Sequence, residues 1–209
     1  MVFGKIFGNK NKTQKNTHQT ITIVSGLPRS GTSMMMKMLE AGGIQPLVDN
    51  IRTADEDNPK GYYEFERVKA LDKGDTDWLP QAQGKVVKII SALLKHLPDN
   101  YQYKVIFMKR NIEENLQSQK KMLIRKGEDP NKVSDNELRT MLEMHLKMVD
   151  DWLSRQPNID LLYVPYHDMV ERPKENINTL NAFLDHQLNT DKMAEVVDAR
   201  LYRNRASGG

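Results

Sequence analysis

The sequence predicts a three-layer α/β sandwich with a mostly parallel central sheet, and two observations carry that prediction. Strand-like and helix-period stretches alternate from residue 20 to residue 185, which is the pattern of a parallel sheet with helices on both faces. The second is the stretch 20–43, where six apolar or β-branched residues run into a glycine-bounded loop and then into a helix-period segment. No internal repeat and no shift in composition marks a second domain.

The elements follow in order. Residues 20–25 are a buried strand, and Gly26 to Gly31 form a tight turn. Thr32 or Ser33 caps a helix through Met34, Met35, Met38 and Leu39 that stops at Gly42 and Gly43. Asn58-Pro59 and Lys60-Gly61 are turn signals, and residues 62–65 read as a short strand. A short helix and loop end near Trp78, and residues 84–90 form another buried strand followed by helix. Residues 103–108 are the clearest strand after the first, and a helix runs from Asn111 to about Lys126.

Asp129-Pro130 breaks the chain, and Ser134 with Glu137 is a capping box that opens a long helix. Its apolar stripe is Leu138, Met141, Leu142, His145, Val149, Trp152 and Leu153. His145 reads there as a packed histidine. A last strand covers 160–166, and a helix runs from about Lys174 to Leu184.

Composition bounds the chemistry. The chain has 209 residues and a formal net charge of +3, enough for one full core and no strong global field. Nothing in that balance demands nucleic acid. With no cysteine, disulfides, thiolate catalysis and cysteine-ligated metals are excluded. No apolar run reaches the roughly 18–20 residues of a membrane span. Residues 1–19 read as a flexible basic arm and not as a secretory signal, although Phe3, Ile6 and Phe7 offer an apolar contact. The expected domain spans 20–205, with a flexible tail at 206–209 and a cytoplasmic setting.

The loop carries the chemistry. Strand, glycine turn and helix N-terminus together make an oxyanion cradle, with backbone N–H groups and the helix dipole turned toward the ligand. The spacing GxxxxG followed by Thr32 and Ser33 is close to the Walker A pattern, but Thr32 stands in the lysine slot. The loop's cation is Arg29 instead. That predicts a site for a phosphate-like group other than ATP with magnesium.

The run Pro28-Arg29-Ser30-Gly31-Thr32-Ser33 resembles the 5′-phosphosulfate loop of sulfotransferases that use 3′-phosphoadenosine-5′-phosphosulfate (PAPS). Further along, Arg110 stands at a strand end with Ser118 eight residues on, similar to that family's 3′-phosphate site. Asn58 to Glu64 resembles a bacterial segment that lines the acceptor pocket, with its glutamate at Glu64. Lys88 matches the lysine of a Lys-Thr-His motif in the animal enzymes, and Ile90 stands where that histidine would be. His96 imitates the motif in letters only and is expected at the surface.

The resemblance implies a fold like the P-loop nucleoside triphosphate hydrolases and transfer of a sulfuryl group from PAPS to a hydroxyl, less readily an amine. It leaves adenosine 3′,5′-bisphosphate and needs no metal. It assigns Arg29, Glu64 and Lys88 to catalysis, with Asp55 and Glu66 as reserve bases. Gly26, Pro28, Arg29, Ser30, Gly31, Thr32, Ser33, Arg110 and Ser118 are assigned to the cofactor. Arg203 and Arg205 stand where the family closes the pocket with a basic segment, although the usual Gly-x-x-Gly-x-x-Lys pattern is absent. A small-molecule acceptor is the implied partner, and oligomeric state is open. A P-loop small-molecule kinase and a non-catalytic nucleotide-binding protein are the other readings.

Overall fold

Four strands form the sheet: β1 (Thr20–Gly26), β2 (Val86–Lys88), β3 (Gln102–Lys109) and β4 (Ile159–Pro165). Their order is β2-β1-β3-β4, and every pairing is parallel. The computed structural model describes residues 20–49, 51 and 61–197. β1 lies between two partners and is buried from Ile21 onward, which is why it reads as an unbroken apolar and β-branched run.

Alternation along the strands makes two cores. Val24, Val86, Ile106, Met108 and Val164 face α1 (Thr32–Ala41), α5 (Tyr166–Glu171), α6 (Pro173–Phe183) and α7 (Thr190–Val196). Ile21, Ile23, Val87, Val105 and Phe107 face the other way, onto α2 (Leu79–Ala82), α4 (Asp135–Leu153) and the 3-10 helices Glu66–Lys73 and Ser91–His96. Fully buried Trp78 anchors this second layer, donating its indole N–H to the Asp75 carbonyl at 2.9 Å. α3 (Ile112–Arg125) packs beside α4, where Arg139 donates to both carboxylate oxygens of Glu113 at 2.6 and 2.9 Å.

Strand order positions the site. The chain leaves β1 toward β2 on one side and leaves β3 toward β4 on the other. The carboxyl ends of β1 and β3 are therefore the point where the connections diverge, the usual ligand crevice of an open parallel sheet. Gly26 pairs with Met108, so the loop after β1 runs alongside Lys109 and Arg110.

The sequence reading of the elements is corrected in five places. Gly31, not Thr32 or Ser33, caps α1; it is left-handed at φ 98°, makes no side-chain bond, and Thr32 is already helical. Residues 62–65 form no strand, because Tyr62 gives its carbonyl to side chains instead of a ladder. The second strand is only Val86–Lys88, and the turn after it is a 3-10 helix. His96 is half-buried rather than fully at the surface. Met141 is 61% exposed and so does not belong to the core stripe of α4. The capping box at Ser134 and Glu137 is present as expected.

Candidate functional site

The loop between β1 and α1 is shaped by three left-handed residues. Gly26, Arg29 and Gly31 have φ of 147°, 69° and 98°. A Cβ on Gly26 would lie 2.5 Å from Ser30 Oγ and 2.7 Å from the Met108 carbonyl oxygen. One on Gly31 would run into the Tyr166 ring, 2.8 Å from Cε2. The loop thus closes tightly, and the N–H groups of the first turn of α1, which have no acceptor inside the helix, open toward its concave side.

The start of α3 forms the second wall. Arg110 donates from Nε to Glu114 Oε2 at 3.1 Å, with both side chains under a tenth exposed. Its other arm donates to the Arg29 carbonyl at 3.0 Å, and its guanidinium lies 4.6 Å from the centroid of the Tyr166 ring. Arg29 Nε in turn donates to Ser118 Oγ at 3.0 Å. Asn115 donates to the Pro28 carbonyl at 2.8 Å and is itself held by Gln119 at 2.6 Å. Burial pushes the Tyr166 phenol above its ordinary pKa, and the Arg110 guanidinium works against that rise.

A third wall comes from β2 and the segment before Glu66. Lys88 Nζ donates to the Tyr62 carbonyl and lies 3.7 Å from Glu64 Oε1, with its side chain 10% exposed. Ser33 Oγ reaches the same carbonyl at 3.4 Å. Tyr63 is left-handed at φ 52° and donates to Glu40 Oε2 at 2.5 Å. Burial first, and then that carboxylate, raise the Tyr63 phenol well above its ordinary range.

One feature of the cradle asks for a ligand. The hydroxyls of Ser25 and Ser30 are fully buried with no hydrogen-bond partner among the described residues. Buried polar atoms are nearly always satisfied, and such an exception at a helix N-terminus fits an anion or its water. A phosphate-bearing ligand therefore suits the residues present. Among the described residues, no group of three or more His, Asp or Glu side chains is placed to hold a metal ion.

The family model described as a sulfotransferase domain matches residues 19–205. The chain belongs to the sulfotransferase domain family. No curated relative matches it by sequence. Sulfotransferase STF9 from Mycobacterium avium is similar in structure, at a TM-score of 0.50 and 13% identity over 91% of this chain and 69% of that one. A sulfotransferase from Alicyclobacillus acidocaldarius gives 0.48 and 15% over 82% of each chain. The likeness to STF9 bears on the fold alone, the three-layer α/β architecture of P-loop proteins.

Within this sulfotransferase domain, the structure gathers most of the predicted residues at one end of the sheet. Gly26, Pro28, Arg29, Ser30, Gly31, Thr32 and Ser33 form the loop, and Arg110 and Ser118 touch it. Glu64 and Lys88 meet each other near Ser33, through the Tyr62 carbonyl that Lys88 and Ser33 share. Glu66 is turned away, paired with Lys69 at 2.8 Å. Asp55, Arg203 and Arg205 lie outside the described residues, as does the expected arm at 1–19. His145 packs against Ser91, Nε2 to Oγ 2.8 Å, and burial with Lys95 nearby lowers its pKa.

Three residues of the site were missed from sequence: Glu114, Asn115 and Tyr166. A signal for two of them exists. Glu114 and Asn115 lie four and five residues after Arg110, so they share its inward face one turn before Ser118. Polar residues on the core side of a helix mark a site that needs them.

Proposed function

We propose that this sulfotransferase domain moves a sulfuryl group from PAPS to a hydroxyl of a small acceptor, with an amine as the less favoured acceptor. The observation that carries the reading is a pair of contacts. Arg29 holds Ser118 through its side chain and receives Arg110 on its carbonyl, both at 3.0 Å. The loop of Arg29 and the pair Arg110 with Ser118 are therefore one continuous surface at the divergence of the strands, which supports assigning both to one ligand.

PAPS, when bound, supplies the sulfuryl group and a phosphate oxygen as leaving group. Arg29 and the amides of Gly31 to Ser33 suit the negative charge of that oxygen, a preorganised job that water does poorly, whereas the Ser30 amide is already given to the Leu27 carbonyl at 3.2 Å. Arg110 and Ser118 are suited to the second phosphate, by a guanidinium fork and a hydroxyl. Lys88 sits between the loop helix and Glu64 and adds positive charge beside the reacting centre. Glu64 takes the proton that the acceptor oxygen gives up as it forms its bond to sulfur. The donors already present fill the electrostatic role a metal plays elsewhere. A cytoplasmic setting fits a chain without cysteine.

Calorimetric titration tests the reading. Adenosine 3′,5′-bisphosphate should bind at least tenfold more tightly than ATP, and Arg29→Ala or Arg110→Ala should each abolish that preference. Equal binding of the two nucleotides overturns the cofactor assignment. Binding unchanged in both variants overturns the residue assignment.

A further inference from the structure

Tyr63 holds a conformation that its own side chain disfavours. Its φ of 52° is left-handed. A bulky residue stays in that region only where its surroundings impose it, and such residues gather at functional sites. On one side of it, Tyr62 gives its carbonyl to Ser33 and Lys88. On the other side stands Glu64. The turn at Tyr63 therefore returns the chain toward β2, where Glu64 Oε1 lies 3.7 Å from Lys88 Nζ. An extended backbone at Tyr63 would send Glu64 off in another direction.

The turn is held through one face of α1. Ser33 and Glu40 are seven residues apart, two helical turns, so they share that face. Ser33 donates to the Tyr62 carbonyl at 3.4 Å, and Glu40 accepts the Tyr63 hydroxyl at 2.5 Å. The Tyr63 ring also packs against the core layer to which α1 belongs. Beyond the turn, Asp49 donates its amide to the Glu64 carbonyl at 3.3 Å and accepts the Glu66 amide at 2.5 Å. Of these supports, the bond to Glu40 acts on the strained residue itself. A hydroxyl on a carboxylate makes a charge-assisted bond, stronger than the neutral kind. Because burial and that carboxylate raise its pKa, the phenol remains a donor throughout the neutral range.

We infer that Tyr63 is a positioning residue, whose bond to Glu40 latches the left-handed turn that aims Glu64 at Lys88. The inference rests on the reading of Glu64 as the base for the acceptor, and Tyr63 acts through that carboxylate. α1 begins at the cradle and carries Glu40 one residue before its end, so a single helix sets loop and base against each other.

A single introduced thiol tests the placement without an acceptor, because the chain has no cysteine. In Glu64→Cys the thiol stands in place of the carboxylate, and its alkylation by iodoacetamide is followed across pH. Lys88 beside it should hold the midpoint below the ordinary value of about 8.5. Adding Tyr63→Phe or Glu40→Ala should raise that midpoint by roughly half a unit or more. Glu40→Gln keeps an acceptor for the phenol and should preserve the low midpoint. Lys88→Met should raise it too, and Tyr63→Phe should then add nothing, since its effect runs through the lysine.

Calorimetry separates this from the reading beneath it. Tyr63→Phe should bind adenosine 3′,5′-bisphosphate as tightly as the native chain does. A native chain without preference for the bisphosphate over ATP sinks the cofactor assignment, and the thiol still decides the latch. An ordinary midpoint in Glu64→Cys alone, or one unmoved by Tyr63→Phe, overturns the latch. So does a Tyr63→Phe shift that persists undiminished without Lys88, or a Glu40→Gln variant that behaves like Glu40→Ala. Weakened bisphosphate binding in Tyr63→Phe overturns it as well, because the bond would then serve the whole of α1.

Discussion

Replacing Gly31 with alanine probes the loop where backbone and side chain both constrain it. Gly31 is left-handed at φ 98°, and a Cβ there would overlap the Tyr166 ring. The conformation costs an ordinary residue about 1–2 kcal/mol. Displacing a ring that is 5% exposed adds about 1–3 kcal/mol of overpacking. The sum is roughly 2–5 kcal/mol, or a fall in Tm of roughly 4–20 °C at about 2–4 °C per kcal/mol for a domain of this size. Calorimetry of Gly31→Ala, Tyr166→Leu and the double variant separates the two parts. The ring overlap should vanish in the double variant, giving a coupling of about 1–3 kcal/mol, while the backbone part remains. Because Tyr166 also lies against Arg110, the single variant should lose affinity for adenosine 3′,5′-bisphosphate. A Gly31→Ala protein that melts within about 2 °C of the native chain refutes the geometry, since even the smallest sum above exceeds that.

Three further outcomes are expected. Glu114→Gln should tighten binding of adenosine 3′,5′-bisphosphate on the order of tenfold, measured calorimetrically, because a buried carboxylate beside Arg110 opposes the second phosphate by ~2 kcal/mol at an effective dielectric near 20; weaker binding would mean that Glu114 matters more for holding Arg110. Lys88→Met should cut sulfuryl transfer on the order of a hundredfold and leave bisphosphate affinity nearly intact; equal losses in both would place Lys88 in the cofactor grip. His145 has a folded-state pKa below that of the unfolded chain, so its stabilising effect is complete above about pH 6.5 and is lost as the pH falls, where only the unfolded chain takes the proton. The urea midpoint should fall between pH 7 and pH 5, and His145→Gln should flatten that fall.

Much of this was legible because local pattern and global fold agree. β1 and β3 are apolar runs largely buried on both faces, β4 is an apolar run on the half-exposed edge, and the capping box at Ser134 is read from two letters. The loop and its partner Arg110 with Ser118 were legible as spacing. What escaped depends on backbone shape. Thr32 looks like a cap, but Gly31 turns left-handed and takes the position itself. Tyr62 and Tyr63 have strand-like composition, yet Ser33 and Lys88 claim the Tyr62 carbonyl and Tyr63 is bent to reach Glu40. Met141 fits the helical period of the core stripe, but period alone does not say which of two apolar faces meets the sheet. Tyr166 was legible as a residue and not as a floor under Gly31 and Arg110, because that contact joins segments 135 residues apart.

The position of β1 has a consequence for how a bound ligand would be felt by the whole chain. Like β3 it has a neighbour on each side, and α1 is attached directly beyond its loop, so its amide protons should exchange only when the entire domain opens. A nucleotide gripped by the loop on that strand would then protect the molecule globally. Slowed hydrogen exchange would appear at Ile159–Pro165, on the far edge of the sheet, as well as at the loop.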